Sequence, residues 1–185
     1  MRKLVESTFV TLDGVISSPQ EWGPPYWNDE HAGYARELLF AADALLLGRA
    51  TYESFAQAWP SRTGDEFAER INGMRKYVAS RTLQEADWNA TVIRGDAATE
   101  VAKLKEQPGQ DILKFGTGEF DRTLLEHNLV DEYHFWLFPA FAGSGTHLFE
   151  GFDLTHLKLL RTTTFSTGIV VMTYQSAAGG KEATT

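Results

Sequence analysis

The sequence predicts an α/β domain in which a mixed, mostly parallel sheet is covered by helices on both faces and closed by a C-terminal antiparallel hairpin. Three observations predict it. Short apolar runs alternate with stretches of helical periodicity from Leu4 to His127, the signature of βα units on a parallel sheet. Several runs end at turns built on glycine, at Gly48 and at Gly116-Thr117-Gly118, where a strand hands over to a helix. From Glu132 onward β-prone stretches follow one another with no helix between them, which suits antiparallel pairing.

Leu4–Thr11 alternates, with Val5, Phe9 and Val10 as β-prone apolar residues, and reads as the first strand. Asp13-Gly14 turns the chain and Val15-Ile16 begins a second short extended piece. Residues 17–28 hold Pro19, Gly23, Pro24 and Pro25 among Trp22, Tyr26 and Trp27, too much proline for an element and too many aromatics for an idle connection. A helix is expected over 29–42, with Tyr34, Leu38, Leu39 and Ala42 at helical spacing, then a buried strand over 44–47 and a helix over 52–59. A helix over 67–73 ends at glycine, and strands follow over 76–79 and 91–93. Ala97–Glu106 is a helix with Val101 and Leu104 inward, stopped by Pro108-Gly109. The strand 112–115 leads through the glycine turn into a helix over 119–127. Glu132–Phe138, aromatic on both faces, reads as a strand buried between layers or at a subunit interface, and 157–165 with 169–174 as a hairpin. Residues 1–175 thus form one domain without repeat or linker, and the small, polar residues 176–185 are expected to fray.

Composition narrows the function. At 185 residues, 43% hydrophobic and 23% charged, the chain is a globular domain with a substantial core. A formal net charge of -8 speaks against a broad nucleic-acid face while leaving room for a small basic pocket. The apolar stretch 41–47 is too short for a membrane span, and Glu6 interrupts the N-terminal apolar residues before a secretory segment can form, so a cytoplasmic location is expected, without membrane partners. Without cysteine there is no disulfide, thiolate nucleophile or cysteine metal site, and His31, His127, His134, His147 and His156 show no metal-binding spacing, so no metal is expected.

Three turns sit where ligands bind in open α/β sheets, at the carboxyl ends of strands. In Gly48-Arg49-Ala50-Thr51, glycine permits close backbone approach of a phosphate, arginine offers a planar fork of donors, and Thr51 can cap the helix or donate its hydroxyl. Ser80-Arg81-Thr82 brackets a guanidinium with two hydroxyls, and Gly116-Thr117-Gly118 opens a helix. Together they can hold the phosphates of one extended dinucleotide. The standard fingerprints are absent: Asp121 stands where G-x-G-x-x-G needs its last glycine, and neither a P-loop lysine nor a nucleophile elbow is present.

The stretches Leu12-Asp13-Gly14-Val15-Ile16, Leu47-Gly48-Arg49-Ala50-Thr51-Tyr52-Glu53, Val78-Ala79-Ser80-Arg81-Thr82-Leu83, the segment 112–120 and Leu124-Leu125-Glu126-His127-Asn128-Leu129-Val130-Asp131-Glu132-Tyr133 occur in one order along the chain. With Phe138-Pro139, Gly143-Ser144-Gly145 and Leu148-Phe149, they make the sequence resemble the dihydrofolate reductase-like superfamily, in the branch of the reductase domain of the riboflavin-biosynthesis deaminase-reductase. That resemblance implies a three-layer α/β/α dihydrofolate reductase-like fold, NADPH bound in extended form, and a homodimer. It places the phosphates of NADPH at Gly48, Arg49 and Thr51, the adenosine ribose and 2′-phosphate at Ser80 and Arg81, and the pyrophosphate and nicotinamide at Gly116, Thr117, Gly118 and Glu119. Val15 and Ile16 begin the loop that covers the nicotinamide in such proteins, with 19–27 as a lid whose Trp22, Tyr26 and Trp27 stack on a flat heterocycle. Asp13, Asp29 and Glu30 are the candidate carboxylates for proton delivery to the reduced substrate. The function so implied is an NADPH-dependent reductase of a small nitrogen heterocycle, a pterin or a pyrimidine of the riboflavin pathway. The alternative is a dinucleotide-binding protein of the same fold without catalysis.

Overall fold

Leu45, Leu46 and Leu47 are all fully buried, yet Leu46 belongs to one hydrophobic core while Leu45 and Leu47 belong to another. Side chains of a strand alternate between faces, so both faces of this strand are covered, as the unbroken apolar run demanded. The computed structural model describes residues 1–177 and extends this pattern across an eight-stranded sheet.

The strands are β1 (Leu4–Thr11), β2 (Ala42–Gly48), β3 (Arg75–Ala79), β4 (Ala90–Ile93), β5 (Asp111–Phe115), β6 (Glu132–Phe138), β7 (Leu157–Thr164) and β8 (Val170–Ser176), in the order β4-β3-β2-β5-β1-β6-β8-β7. Pairing is parallel from β4 to β6 and antiparallel from β6 through β8 to β7. The helices are α1 (Pro19–Trp22), α2 (Asp29–Ala41), α3 (Arg49–Ala58), α4 (Glu66–Gly73), α5 (Ala97–Glu106) and α6 (Glu119–Glu126). Leu39 of α2, Tyr52 of α3 and Ile71 of α4 pack on one face with Leu45, Leu47 and Leu113. Val101 and Leu104 of α5 and Leu124 of α6 pack on the other with Leu46 and Ile112. None of the helices among the described residues is long and apolar enough to cross a membrane.

The connections locate the ligand end of the sheet. Strand β2 feeds α3 on one face, and its neighbour β5 feeds α6 on the other. Helices leaving adjacent strands in opposite directions open a crevice at the strands' carboxyl ends, the place where open α/β sheets bind ligands.

Local structure departs from expectation at several points. Helix α3 starts at Arg49 rather than at residue 52, because Gly48 takes an extended conformation and becomes its N-cap. Thr51 therefore lies inside the first turn and does not cap the helix. The proline-rich segment contains α1 and a 3-10 turn, Pro24–Tyr26, each with proline in its first turn, where the missing N–H would be unpaired in any case. Val15 makes only an isolated bridge to His147. Ser176, assigned to the fraying tail, pairs with Leu157 at the end of β8, and residues 178–185 lie outside the described residues.

Candidate functional site

The crevice between β2 and β5 holds a cleft of about 430 Å³ that gathers all three turns. Gly48, Arg49 and Thr51, Ser80 and Arg81, and Gly116, Thr117, Gly118 and Glu119 line it together. The two helices starting there differ from α2, α4 and α5. Asn28, Asp65 and Asp96 cap α2, α4 and α5 by accepting from His31 N, Ala68 N and Thr99 N. Helices α3 and α6 begin at Gly48 and Gly118 with no side-chain cap, so backbone N–H groups in their first turns are left for another acceptor. Aligned dipoles favour an anion at such ends.

Arginine chemistry completes the cleft. Arg49 Nε donates to Glu53 Oε1 at 2.7 Å, and its Nη1 donates to Thr82 Oγ1, tying the end of β2 to the loop after β3. Arg81 is exposed and makes no ion pair among the described residues. Ser80 Oγ accepts from Leu83 N at 3.0 Å and so shapes its own turn while lining the cleft. Gly116 holds φ +70, and a Cβ there would come 3.3 Å from Thr51 Oγ1. Glycine is therefore required by conformation, and the space beside it is already tight. Thr117 Oγ1 is buried without a partner among the described residues.

Beneath the cleft lies a group that sequence reasoning missed. Lys114 Nζ stands 2.7 Å from Asp121 Oδ1 and 3.7 Å from Glu6 Oε2, with all three side chains no more than 2% exposed. Burial drives the Glu6 carboxyl well above its usual range against the opposing pull of Lys114. Burial alone would depress Lys114, and the acidic groups around it, Glu6 and Asp121, outweigh that and raise its pKa. The signal was visible as a charged residue inside each of two apolar strands, Glu6 in β1 and Lys114 in β5. What sequence does not show is that these positions are cross-strand neighbours.

The remaining candidates lie elsewhere. Val15 is 1% exposed and Ile16 packs against the core on the α5–α6 side; neither lines the cleft. Asp13 accepts from Ala142 N at 3.0 Å and Gly143 N at 2.7 Å and also from Thr11 Oγ1. The Thr11 hydroxyl, followed by these backbone donors, holds its carboxyl down to about 2. A carboxylate so stabilised is a loop anchor and not a proton donor near neutrality. Glu30 is likewise engaged, accepting from Ser166 N at 2.8 Å and from the Ser166 hydroxyl, which lowers its pKa. Asp29 is exposed in the first turn of α2 and has no side-chain hydrogen bond among the described residues.

The lid aromatics divide. Trp22 and Tyr26 set their ring edges on Phe138, with Trp22 Nε1 donating to Ser17 O and Tyr26 Oη donating to Pro139 O. They plug the sheet end and are not free to stack on a ligand. Trp27 is 46% exposed and stacks on His31 at 5.8 Å, so it alone of the three keeps an open ring. Burial lowers the His31 pKa, which keeps the imidazole neutral under Trp27, Phe9 and Trp136.

Replacing Asp13 with alanine is expected to speed amide hydrogen exchange at Ala142 and Gly143 while global stability changes little. Unchanged exchange at both amides would show that the carboxylate anchors nothing. The anchor's own pH dependence follows from the depressed pKa. It is intact above the unfolded value of 3.8 and is lost as pH falls from there through about 2.

The family model of the RibD C-terminal domain matches residues 2–171. Uncharacterized protein YyaP of Bacillus subtilis is 33% identical over 180 residues, covering 94% of each chain. The solved structure of a putative riboflavin biosynthesis protein from Shewanella superposes with a TM-score of 0.75 at 20% identity, over 95% of this chain and 99% of the other. Dihydrofolate reductase from Enterococcus faecalis, complexed with NADP(H), superposes with a TM-score of 0.63 at 15% identity, over 94% and 96%. These likenesses give the dihydrofolate reductase-like fold.

Proposed function

The chain belongs to the RibD C-terminal domain family, and from that premise we propose that it is an NADPH-dependent reductase transferring hydride to a small nitrogen heterocycle, a pterin or a riboflavin-pathway pyrimidine. The observation that carries this reading is the convergence of three anion-suited turns on one cleft at the switch point between β2 and β5. The residues fit an extended dinucleotide: two helix starts without side-chain caps, an exposed guanidinium at Arg81, and the buried, unpartnered Thr117 hydroxyl. Gly48 and Arg49 would hold phosphate, Ser80 and Arg81 the ribose and its 2′-phosphate, and the Gly116-Thr117-Gly118 turn the pyrophosphate end. NADPH, when bound, supplies the hydride.

This chain's own groups orient and enclose the reactants. Trp27 offers an open aromatic face to a planar substrate. Of the three carboxylates considered for proton delivery, Asp29 is the one not engaged by other side chains among the described residues. The anchoring of Asp13 and Glu30 also favours a second reading, a dinucleotide-binding protein without catalysis.

Dinucleotide titration tests both. Arg81→Ala is expected to weaken NADPH about tenfold and NADH hardly at all, because only one of them has a 2′-phosphate to lose a charge-assisted bond. Arg49→Ala is expected to weaken both, since that guanidinium also braces the loop at Thr82. Equal losses of NADPH and NADH in Arg81→Ala would remove the 2′-phosphate assignment, and wild-type protein that binds neither would remove the cofactor. Binding without oxidation of NADPH by pterins or pyrimidinones selects the second reading.

A further inference from the structure

Lys114 does more than neutralise buried carboxylates. Its Nζ donates to the carbonyl of Gly116 and to Asp121 Oδ2 at 2.9 Å, and that same Oδ2 accepts from Gly118 N at 2.7 Å. One buried ion pair thus grips the first and last residues of the Gly116-Thr117-Gly118 turn from below. The Gly116–Thr117 peptide is trans, and in a trans peptide the carbonyl and the next N–H point in opposite directions. With the Gly116 carbonyl drawn down to the ammonium, Thr117 N–H faces away from it, and it has no acceptor among the described residues.

Gly116 N donates to Ser7 O at 3.0 Å and holds the start of the turn, but among the described residues Lys114 is the one partner of the Gly116–Thr117 peptide group itself. Gly116 lies at φ +70 and Gly118 in an extended conformation, and glycine crosses backbone regions closed to other residues at little cost. Released from Lys114, the peptide can rotate and present its carbonyl oxygen on the cleft side, where an anion would meet an acceptor in place of a donor.

We propose that Lys114 and Asp121 are positioning residues of the cleft, holding the Gly116–Thr117 peptide with its N–H toward the ligand so that the turn receives the diphosphate of a dinucleotide. This assignment rests on the reading of the cleft as a dinucleotide site, and it concerns the part shared by NADPH and NADH.

The test is the double variant Lys114→Met/Asp121→Leu. Exchanging a buried ion pair for apolar residues of similar size keeps such sites folded, Glu6 left beside it is held toward its neutral form by burial, and the exchange removes both grips on the turn. NADPH and NADH are each expected to bind about tenfold more weakly, by the same factor, at a melting temperature close to wild type. The Thr117 amide resonance, which should move when wild type binds NADPH, should move little in the variant at equal occupancy. Should the double variant not fold, Asp121→Asn is measured in the same way, since it keeps an oxygen for Gly118 N–H and drops the charge that holds Lys114. A folded variant whose affinities stay within twofold of wild type overturns the positioning role and leaves the cofactor site standing. Wild type that binds no dinucleotide overturns the cofactor reading itself.

Discussion

Trp136→Ala is expected to destabilise the protein by about 3–5 kcal/mol, the range for deleting a large aromatic from a packed core. For a domain of this size that is a fall in melting temperature of roughly 10 °C. The indole is 1% exposed, and its ring lies 5.1 Å from Phe9 and His31, 5.0 Å from Tyr34 and 5.8 Å from Phe165. Removing it opens a cavity whose walls come from β1, from α2 and from the segment between β7 and β8, so no single element can move to fill it. A second loss accompanies the first. Trp136 Nε1 donates to Ser7 Oγ at 3.0 Å in a buried bond, and alanine leaves that hydroxyl without its donor. Trp136→Phe keeps most of the ring volume, so it should fall between wild type and alanine. Thermal or urea unfolding checks the series, and a loss below about 1 kcal/mol for alanine would mean that this aromatic cluster is not the core of the α2 face. The cluster also seats His31 under Trp27, so the alanine variant should loosen the segment proposed to meet the substrate.

The strand that carries Trp136 shows what the sequence could and could not disclose. Its aromatic residues on both faces announced a strand covered on both sides, and the structure places Tyr133 and Phe135 against one core and Trp136 and Phe138 in another. The order of strands was not legible, because it depends on pairings between residues far apart in sequence, such as Ser7 with Phe115 and with His134. The three phosphate-like turns were legible as strand ends carrying donors, two of them built on glycine and the third, Ser80-Arg81-Thr82, on hydroxyls and a guanidinium. Trp22 and Tyr26 misled for a physical reason. An aromatic ring looks the same in sequence whether it faces a ligand or a neighbour, and only Phe138 beneath them decides. Asp13 misled likewise, because its acceptors' partners, Ala142 and Gly143, come from a loop on the far side of the sequence.

Glu6→Gln is expected to stabilise the protein increasingly as pH rises, and the sign follows from the burial of that carboxyl. Glu6 is 0% exposed, and neither oxygen has a hydrogen-bond partner among the described residues. The charged groups that meet it are Lys114 from β5 and Asp121 from α6, and Tyr133 of β6 is held above its usual range partly by the same carboxyl. Lys114 is already paired at closer range with Asp121, so an ionised Glu6 would add a surplus negative charge to a dry site. Burial accordingly raises its folded pKa well above the ordinary 4.5 of a glutamate. Below that value the carboxyl is protonated in both states and has no effect on their balance. Above it the unfolded chain releases the proton while the folded protein keeps it, so wild-type stability falls by up to about 1.4 kcal/mol per pH unit until the folded state ionises too. Glutamine has the same shape and no proton to lose, and its amide can donate toward Asp121 while its oxygen accepts from Lys114. The two proteins should therefore differ little near pH 4 and separate as pH rises above it, until the folded carboxyl ionises, as read by urea unfolding at each pH. A difference that does not change with pH would show that Glu6 is ionised in the folded protein, with Lys114 shared between two carboxylates. In that case the floor of the cleft carries a net negative charge, and the turn above it must bind its anion against that field.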